Sequence, residues 1–180
     1  MNTYERFPIV LRKGRGMKVW GSDGTEYSDF VGGIAVNILG HCHPKVVVAL
    51  QKQAQRLLHV SNLYHNEPQM KLAKILVEHS FADKVFFCNS VAEANEAAIK
   101  LARKYAKENM SGKRFEIITA LNSFHGRTLA TVTATGQEKF QKGFEPLMPG
   151  FRYAGFNDLE DLKNAITDAT CAVMLEPIQG

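Results

Sequence analysis

The chain has 180 residues, 45% of them hydrophobic and 22% charged, with a formal net charge of +4. This composition is ordinary for a soluble globular protein and permits a core of useful size. Because its lysines and arginines are scattered rather than interleaved with aromatic residues, nucleic-acid binding is not expected. The sequence has neither a leader segment nor a long apolar run, so we expect a cytoplasmic protein without membrane contact. Three widely separated cysteines (Cys42, Cys88 and Cys171) predict reduced thiols.

The first part of the chain reads as strands followed by a loop. Residues 17–20 and 26–30 flank a turn-rich segment and predict a hairpin. The glycine-punctuated apolar segment 32–44 predicts a packed loop. It contains His41, Cys42 and His43, but no further donors stand at a metal-ligand spacing, so we expect no metal here and favour a turn.

Two helices are predicted next, over residues 44–59 and 68–79. The first would begin at Pro44, which suits a first helical position. Its inner face would be formed by Val47, Leu50, Ala54, Leu57 and Leu58.

From residue 84 the pattern alternates between strand and helix. A strand over 84–88, a helix over 92–109, a connection through 110–113 and a strand over 115–121 form one βαβ unit, which implies a parallel sheet covered by helices. Shorter helices are predicted near 137–142 and over 157–167, where Asn157 and Glu160 match a capping box. A last strand covers 171–175. The predicted fold class is therefore α/β.

The strongest local signal lies in residues 87–100. Ser90 stands at an N-cap position, Glu93 completes a capping box, and apolar residues recur from position 94 with helical spacing. Such a helix start points free backbone N–H groups at any anion above it, whether phosphate or carboxylate. A capped structural helix without a ligand explains the same pattern equally well.

Two further turns carry candidate chemistry. In the turn 122–128, Phe124 could lie on a planar cofactor ring and Arg127 could hold a carboxylate through two parallel hydrogen bonds. The alternative is a structural turn with Phe124 in the core and Arg127 in a surface ion pair. Glu176 could orient a ligand or be a solvated carboxylate. Because ligands gather at the carboxyl ends of parallel strands, we expect the turns 89–93, 122–128 and 176–180 to converge.

Taken together, these segments resemble one family over essentially all 180 residues. The resemblance is to the class III, fold type I pyridoxal-phosphate aminotransferases, and within them most of all to the acetylornithine aminotransferases. The residues that carry it are 14–16 with Trp20, 32–44, 59–63, 88–103, 124–128 and 176–180. Residues 92–103 and the Phe-His-Gly-Arg-Thr turn are the most diagnostic.

The resemblance implies a homodimeric enzyme that moves an amino group between N2-acetylornithine and 2-oxoglutarate through pyridoxal 5'-phosphate, in arginine biosynthesis. It implies a small-domain part in residues 1–58. Residues 59–180 would then begin a large domain with a three-layer α/β/α arrangement around a parallel-rich sheet.

The resemblance also assigns roles by motif position. The backbone N–H groups of Val91 and Ala92 would cup the cofactor phosphate, Phe124 would stack on the pyridine ring, and Arg127 would bind the substrate α-carboxylate. Ser90 and Glu176 would support the residues that touch the cofactor.

The sequence departs from the family at two points. Val91 stands where the family has glycine, which allows a backbone closer to a phosphate and permits positive φ, so we expect weakened cofactor binding. Family members also continue beyond residue 180, and no lysine in residues 1–180 matches the Schiff-base position. We therefore expect this lysine, the aspartate that pairs with the pyridinium nitrogen, and part of the small domain to be absent here.

These departures keep other hypotheses open. The chain could be a non-catalytic fragment or pseudo-enzyme, or belong with the succinylornithine, ornithine or 4-aminobutyrate aminotransferases. A nucleotide-binding α/β domain is disfavoured because no glycine fingerprint follows a strand.

Overall fold

The computed structural model describes residues 1, 3–110 and 112–180, and it divides into two compact units, Met1–Ile75 and Leu76–Gly180. Ser111, in the predicted connection 110–113, lies outside the described residues. The division between the units falls after Ile75, whereas the family resemblance implies a domain boundary after residue 58, and the domain assignment stays a prediction. Within the described ranges, no helix is long and apolar enough to cross a membrane.

The first unit is built around a three-stranded antiparallel sheet of order β1-β2-β3. Its elements are β1 (Leu11–Arg15), β2 (Lys18–Gly21), β3 (Glu26–Ser28), the short α1 (Gly32–Ala35), α2 (Pro44–Ala54) and the start of α3 (Glu67–Glu78). The predicted hairpin is confirmed, since β2 and β3 pair antiparallel. The Asp23 carboxylate closes its turn by accepting hydrogen bonds from the N–H and the hydroxyl of Thr25 at 3.1 and 2.9 Å.

Two predictions for the first unit are wrong. The segment 32–44 is not packed, because Ile34, Val36 and Ile38 are largely exposed. Helix α2 ends at Ala54 rather than at residue 59, and its predicted inner face is exposed at Leu50. An apolar stripe shows which face of a helix favours burial, but it does not tell which element covers that face. In α2 the described residues of this unit leave the stripe uncovered at Leu50.

The His41 ring is held within the first unit by an acidic partner. Its Nε2 lies 2.7 Å from Asp29 Oδ2, and its backbone exchanges two hydrogen bonds with Gly16. The hydrogen bond with His41, together with those from the backbone N–H groups of Gly32 and Val31, holds the pKa of Asp29 below its usual value. Across the described ranges, the structure groups no three His, Cys, Asp or Glu side chains in a way that could hold a metal.

The second unit is built around a parallel sheet of order β5-β4-β6. Its elements are α4 (Val91–Asn109), β4 (Glu116–Ala120), α5 (Leu129–Ala134), α6 (Glu138–Gln141), β5 (Phe151–Ala154), α7 (Leu159–Ala165) and β6 (Thr170–Met174). Helices α4 and α5 pack on one face of β4, where Ile99 and Ala130 meet Ile117. Helix α7 packs on the other face, where Ala165 meets Ile118. The predicted three-layer α/β/α arrangement is confirmed.

Three details of the second unit differ from prediction. Residues 84–88 do not form a strand, because a strand needs a hydrogen-bonded neighbour and the described part of the chain brings none beside them. Helix α5 and strand β5 were not predicted. Helix α7 is capped by Asp158, which accepts a hydrogen bond from Asp161 N at 2.9 Å, rather than by Asn157. Asn157 instead takes a positive φ of 58°, which asparagine tolerates better than most residues.

Candidate functional site

The turn 122–128 is fixed on one side by the segment that follows β6. Phe124 N donates a hydrogen bond to Glu176 Oε2 at 3.1 Å, and Gln179 Nε2 donates to Leu121 O at 3.0 Å. Glu176 is thus a hydrogen-bond partner of the turn rather than a solvated loop carboxylate. These two bonds join the second and third of the predicted turns.

The same turn is fixed on its other side by helix α4. Asn95 Nδ2 donates a hydrogen bond to His125 O at 2.7 Å, and the Thr128 hydroxyl donates to the Glu96 carboxylate. The turns 122–128 and 176–180 therefore meet as predicted, whereas α4 is bonded to the turn through residues just beyond the predicted segment 89–93. Residues 84–88, before that segment, are not a strand. All of these contacts lie within the second unit.

Gly126 allows this close approach. Its φ is +133°, in the region that favours glycine, and a Cβ built on it would lie 2.8 Å from Ala92 Cβ and 2.6 Å from Thr131 Oγ1. Any side chain at this position would push the turn away from the first turn of α4. Glycine is therefore required by both the backbone conformation and the packing.

The start of α4 leaves several backbone donors free. Ser90 Oγ accepts a hydrogen bond from Glu93 N at 3.2 Å, so Ser90 is the N-cap as predicted. The Glu93 carboxylate accepts from Asn89 N at 2.6 Å instead of from Ser90 N, which shifts the predicted capping box by one residue. The N–H groups of Ser90, Val91 and Ala92 then have no acceptor among the described residues. At the start of a 19-residue helix, these donors suit an anion.

Val91 is the first residue of α4, and its φ is not positive. The strain expected for a valine in the left-handed region therefore does not arise. The side chain is 71% exposed, so its bulk lies at the surface beside the free N–H groups. Only this bulk remains as a reason for weakened phosphate binding.

Phe124 and Arg127 form an aromatic cluster with Phe140 of α6. The Arg127 Cζ atom lies 4.1 Å from the centroid of the Phe140 ring and 5.5 Å from that of Phe124. The two rings meet edge to face at 5.9 Å. Phe124 is 41% exposed rather than in the core, and Arg127 forms no ion pair or hydrogen bond with the residues that the structure describes. The structural-turn alternative is therefore wrong for both side chains.

His125 is a buried polar residue of the turn, with 3% of its surface exposed. Its N–H donates to Thr135 Oγ1 at 2.9 Å, but its side-chain Nε2 has no hydrogen-bond partner in the described chain. Burial lowers the pKa of His125 below the ordinary value of 6.5, and the negative charge of Glu176 partly opposes this. Burial thus favours the neutral imidazole, and its Nε2 is able to meet a further polar group.

Sequence reasoning gave no role to several residues that build the site. Asn95 and Glu96 fall inside the recognised helix motif, but their bonds to the turn are tertiary contacts that no spacing rule predicts. Gln137 supports the turn from the other side, because its Nε2 donates to Ser123 O at 2.9 Å. Phe140 lies outside every segment to which the sequence assigned chemistry.

The arrangement suits a ligand that combines an anionic group, a flat ring and a carboxylate. Within the described part of the chain, the backbone N–H groups are free for the anion, an aromatic face is partly exposed at Phe124, and the Arg127 donors are unpaired and suit a carboxylate. The residues present therefore fit pyridoxal phosphate and an amino-acid or oxo-acid substrate.

Comparison with protein families gives one match over the whole chain. The model of the aminotransferase class-III family matches residues 1–180. The chain is 62% identical over 180 residues to the acetylornithine aminotransferase of Caldanaerobacter subterraneus subsp. tengcongensis, and 57% identical to that of Methanocaldococcus jannaschii. These alignments cover 100% of this chain but only 46% and 45% of those proteins, so the chain spans less than half the length of the curated relatives it matches.

Solved structures agree with this result. An ornithine aminotransferase structure from Toxoplasma gondii superposes with a TM-score of 0.92 at 33% identity, covering 100% of this chain and 43% of that one. An N-acetylornithine aminotransferase from Stenotrophomonas maltophilia superposes with a TM-score of 0.79 at 44% identity, covering 98% and 43%. These likenesses confirm the predicted fold class.

Proposed function

Because the chain belongs to the aminotransferase class-III family, we propose that it supplies part of the site of an enzyme that moves an amino group between N2-acetylornithine and 2-oxoglutarate. The observation that carries this proposal is that the turns 122–128 and 176–180 meet helix α4 beside a partly exposed aromatic ring. Among the described residues, Arg127 and the N–H groups at the start of α4 have no hydrogen-bond partner there. The relatives named above, at 57% and 62% identity, support the choice of substrate.

In this proposal the cofactor is pyridoxal 5'-phosphate, which when bound supplies the carbonyl that takes up and returns the amino group. The N–H groups of Val91 and Ala92 bind its phosphate, and Phe124 stacks on its ring. Arg127 binds the α-carboxylate of the substrate through the planar edge of its guanidinium.

Ser90 and Glu176 hold these groups in place. The Ser90 hydroxyl fixes the first turn of α4 through Glu93 N, which keeps the free N–H groups parallel. The Glu176 carboxylate accepts from Phe124 N, which fixes the backbone from which the stacking ring projects. Both contributions position binding groups before any ligand arrives.

Transamination itself is proposed for the whole protein. The lysine that family members use has no counterpart assigned in residues 1–180, so we infer that this chain supplies binding groups and not the nucleophile. We further infer a homodimer, a cytoplasmic location and a place in arginine biosynthesis. Neither a membrane nor a nucleic acid is a partner in this proposal.

Ornithine is the rival substrate that a specific observation favours, because the Toxoplasma gondii ornithine aminotransferase superposes with the higher of the two TM-scores. Transamination by the whole protein is measured with N2-acetylornithine, ornithine, succinylornithine and 4-aminobutyrate at equal concentrations, with 2-oxoglutarate as acceptor. We expect the highest kcat/KM with N2-acetylornithine. A preference for ornithine would overturn the substrate choice, and no turnover with any of them would favour the non-catalytic alternative.

Cofactor binding is tested on this chain by calorimetric titration with pyridoxine 5'-phosphate. This analogue has an alcohol in place of the aldehyde and cannot react with surface lysines, so any saturable heat reports the pocket. We expect saturable binding that is lost with pyridoxine, which lacks the phosphate, and weakened in Phe124→Ala. Equal binding of pyridoxine would contradict a phosphate site at the start of α4.

The Val91 departure is tested in the same titration. Because the valine Cβ and its methyl groups stand beside the free N–H groups, we expect Val91→Gly to bind pyridoxine 5'-phosphate more tightly than the wild-type chain. Val91→Ala is the control, since it removes the methyl groups while keeping helix propensity high. Equal affinity in all three proteins would show that the valine does not obstruct the phosphate.

A further inference from the structure

Two cationic side chains lie over the ring of Phe140, a residue to which the sequence assigned no chemistry. The Arg127 Cζ atom lies 4.1 Å and the Lys139 Nζ atom 4.8 Å from the centroid of its ring. A guanidinium stacked on an aromatic face is attracted by the electron density of that face, and its N–H groups point outward in the plane of the group. A guanidinium stacked in this way keeps its in-plane donors free for another group.

Besides the Phe140 ring and the more distant Phe124 ring, whose centroid lies 5.5 Å from its Cζ atom, Arg127 has no described partner that would fix its side chain. A free arginine populates many rotamers, and ordering one of them costs conformational entropy. Stacking on Phe140 meets part of this cost before a carboxylate binds. The ring thus reduces the loss of freedom that binding would otherwise require.

The Phe140 ring is itself held in place by contacts with the turn 122–128. Phe140 N donates to Gln137 O at 3.0 Å, and Gln137 Nε2 donates to Ser123 O at 2.9 Å. The edge-to-face contact with Phe124 completes the connection. Ring, arginine and turn therefore form one network within the second unit.

We propose that Phe140 is a positioning residue, which holds the Arg127 guanidinium in the orientation that binds a substrate carboxylate. The role of the carboxylate rests on the proposed function, whereas the stacking of the arginine on the ring does not. The proposal adds to the site a residue that contacts neither the cofactor nor the substrate and acts through Arg127.

The test measures the reactivity of Arg127 towards phenylglyoxal in the purified chain, by mass spectrometry of the peptide that contains it. Phe140→Met removes the ring while keeping an apolar side chain of similar length, and Phe140→Tyr keeps the ring. Phe81→Leu, at a fully exposed phenylalanine far from the turn in sequence, is the control for loss of an aromatic residue. Each protein is modified with and without increasing 2-oxoglutarate.

We expect Phe140→Met to speed the modification of Arg127 and to raise the 2-oxoglutarate concentration that protects it. The expected rise is about two- to fivefold, the range that a cation–π contact at an exposed site provides. Phe140→Tyr and Phe81→Leu should behave as wild type. The thermal unfolding midpoint of each variant is recorded, and Phe140→Leu replaces Phe140→Met if the latter does not fold.

The outcomes separate this proposal from the proposed function. If 2-oxoglutarate protects wild type and Phe140→Met at the same concentration, Phe140 does not position the arginine, and the carboxylate site stands. If 2-oxoglutarate fails to protect wild type, the carboxylate site is wrong, and the positioning role is overturned with it. A faster modification of Arg127 in Phe140→Met would then still demonstrate the stacking.

Discussion

The two sheets of this chain differ in how far their strands are covered. In β4, the four residues 117–120 are each at most 1% exposed, because strands pair on both edges and helices cover both faces. Among the described residues of β1–β3, only Val19 and Gly21 are buried. The parallel sheet thus has a fully covered central strand, whereas the antiparallel sheet has none. The turn 122–128 of the candidate site follows this covered strand.

The largest effect expected from this comparison is on stability. Ile118→Ala removes a side chain with no exposed surface, so we expect the free energy of unfolding to fall by about 2–5 kcal/mol. Leu11→Ala in β1 is the matched change at an exposed strand residue and should cost about 0.5 kcal/mol. Urea unfolding followed by circular dichroism measures both. Equal losses would show that the two sheets do not differ in coverage as described.

A smaller effect is expected at the bonds that tie the turn to α4. Asn95→Ala removes the 2.7 Å bond to His125 O and leaves a carbonyl unpaired, which should cost about 1–3 kcal/mol. Asn109→Ala is the matched control on the same helix, since its amide bonds only to the exposed Tyr105 O one turn away. Hydrogen exchange of the turn 122–128 should rise in the first variant alone. Unchanged exchange in Asn95→Ala would mean that α4 does not fix the turn.

The smallest effect expected is the pH dependence of stability, because the negative charge of Glu176 partly opposes the lowering of the His125 pKa. Burial holds the pKa of His125 below 6.5, so below that pH the unfolded chain binds more protons than the folded one. The free energy of unfolding should therefore fall as the pH is lowered from about 7.5 to about 5.5. In His125→Gln this slope should flatten. A slope that persists in the variant would assign the pH dependence to other groups.

Much of the second unit was predictable because its signals are local. The Ser90 cap and the apolar spacing of α4 gave the helix, and the apolar run around Ile117 gave β4. The strand predicted over 84–88 was wrong because apolar composition does not tell whether another strand lies beside the segment to pair with it. Helix α5 was not predicted because its threonines are buried together with its apolar residues. The helix therefore has no exposed polar face, and its sequence shows no amphipathic period.

The site was predictable only in part. Residue type made Phe124 and Arg127 candidates for binding a planar ring and a carboxylate, and the assignment of these roles rests on the family resemblance and stays a prediction. Phe140 was not, since its contact with Arg127 depends on how α6 folds back beside the turn. The bonds of Asn95 and Glu96 to the turn also join residues about 30 positions apart, beyond the reach of any short-range pattern.

The hydrogen bond between Phe124 N and Glu176 has a consequence for synthesis. It joins residues 52 positions apart, so a growing chain exposes the turn before its partner exists. At a translation rate of about 5–20 residues per second, this interval lasts on the order of 3–10 seconds. During that time the aromatic cluster lacks one of its anchors and is open to chaperones and proteases. The groups proposed to bind the ligand would thus be among the last parts of this unit to mature on the ribosome.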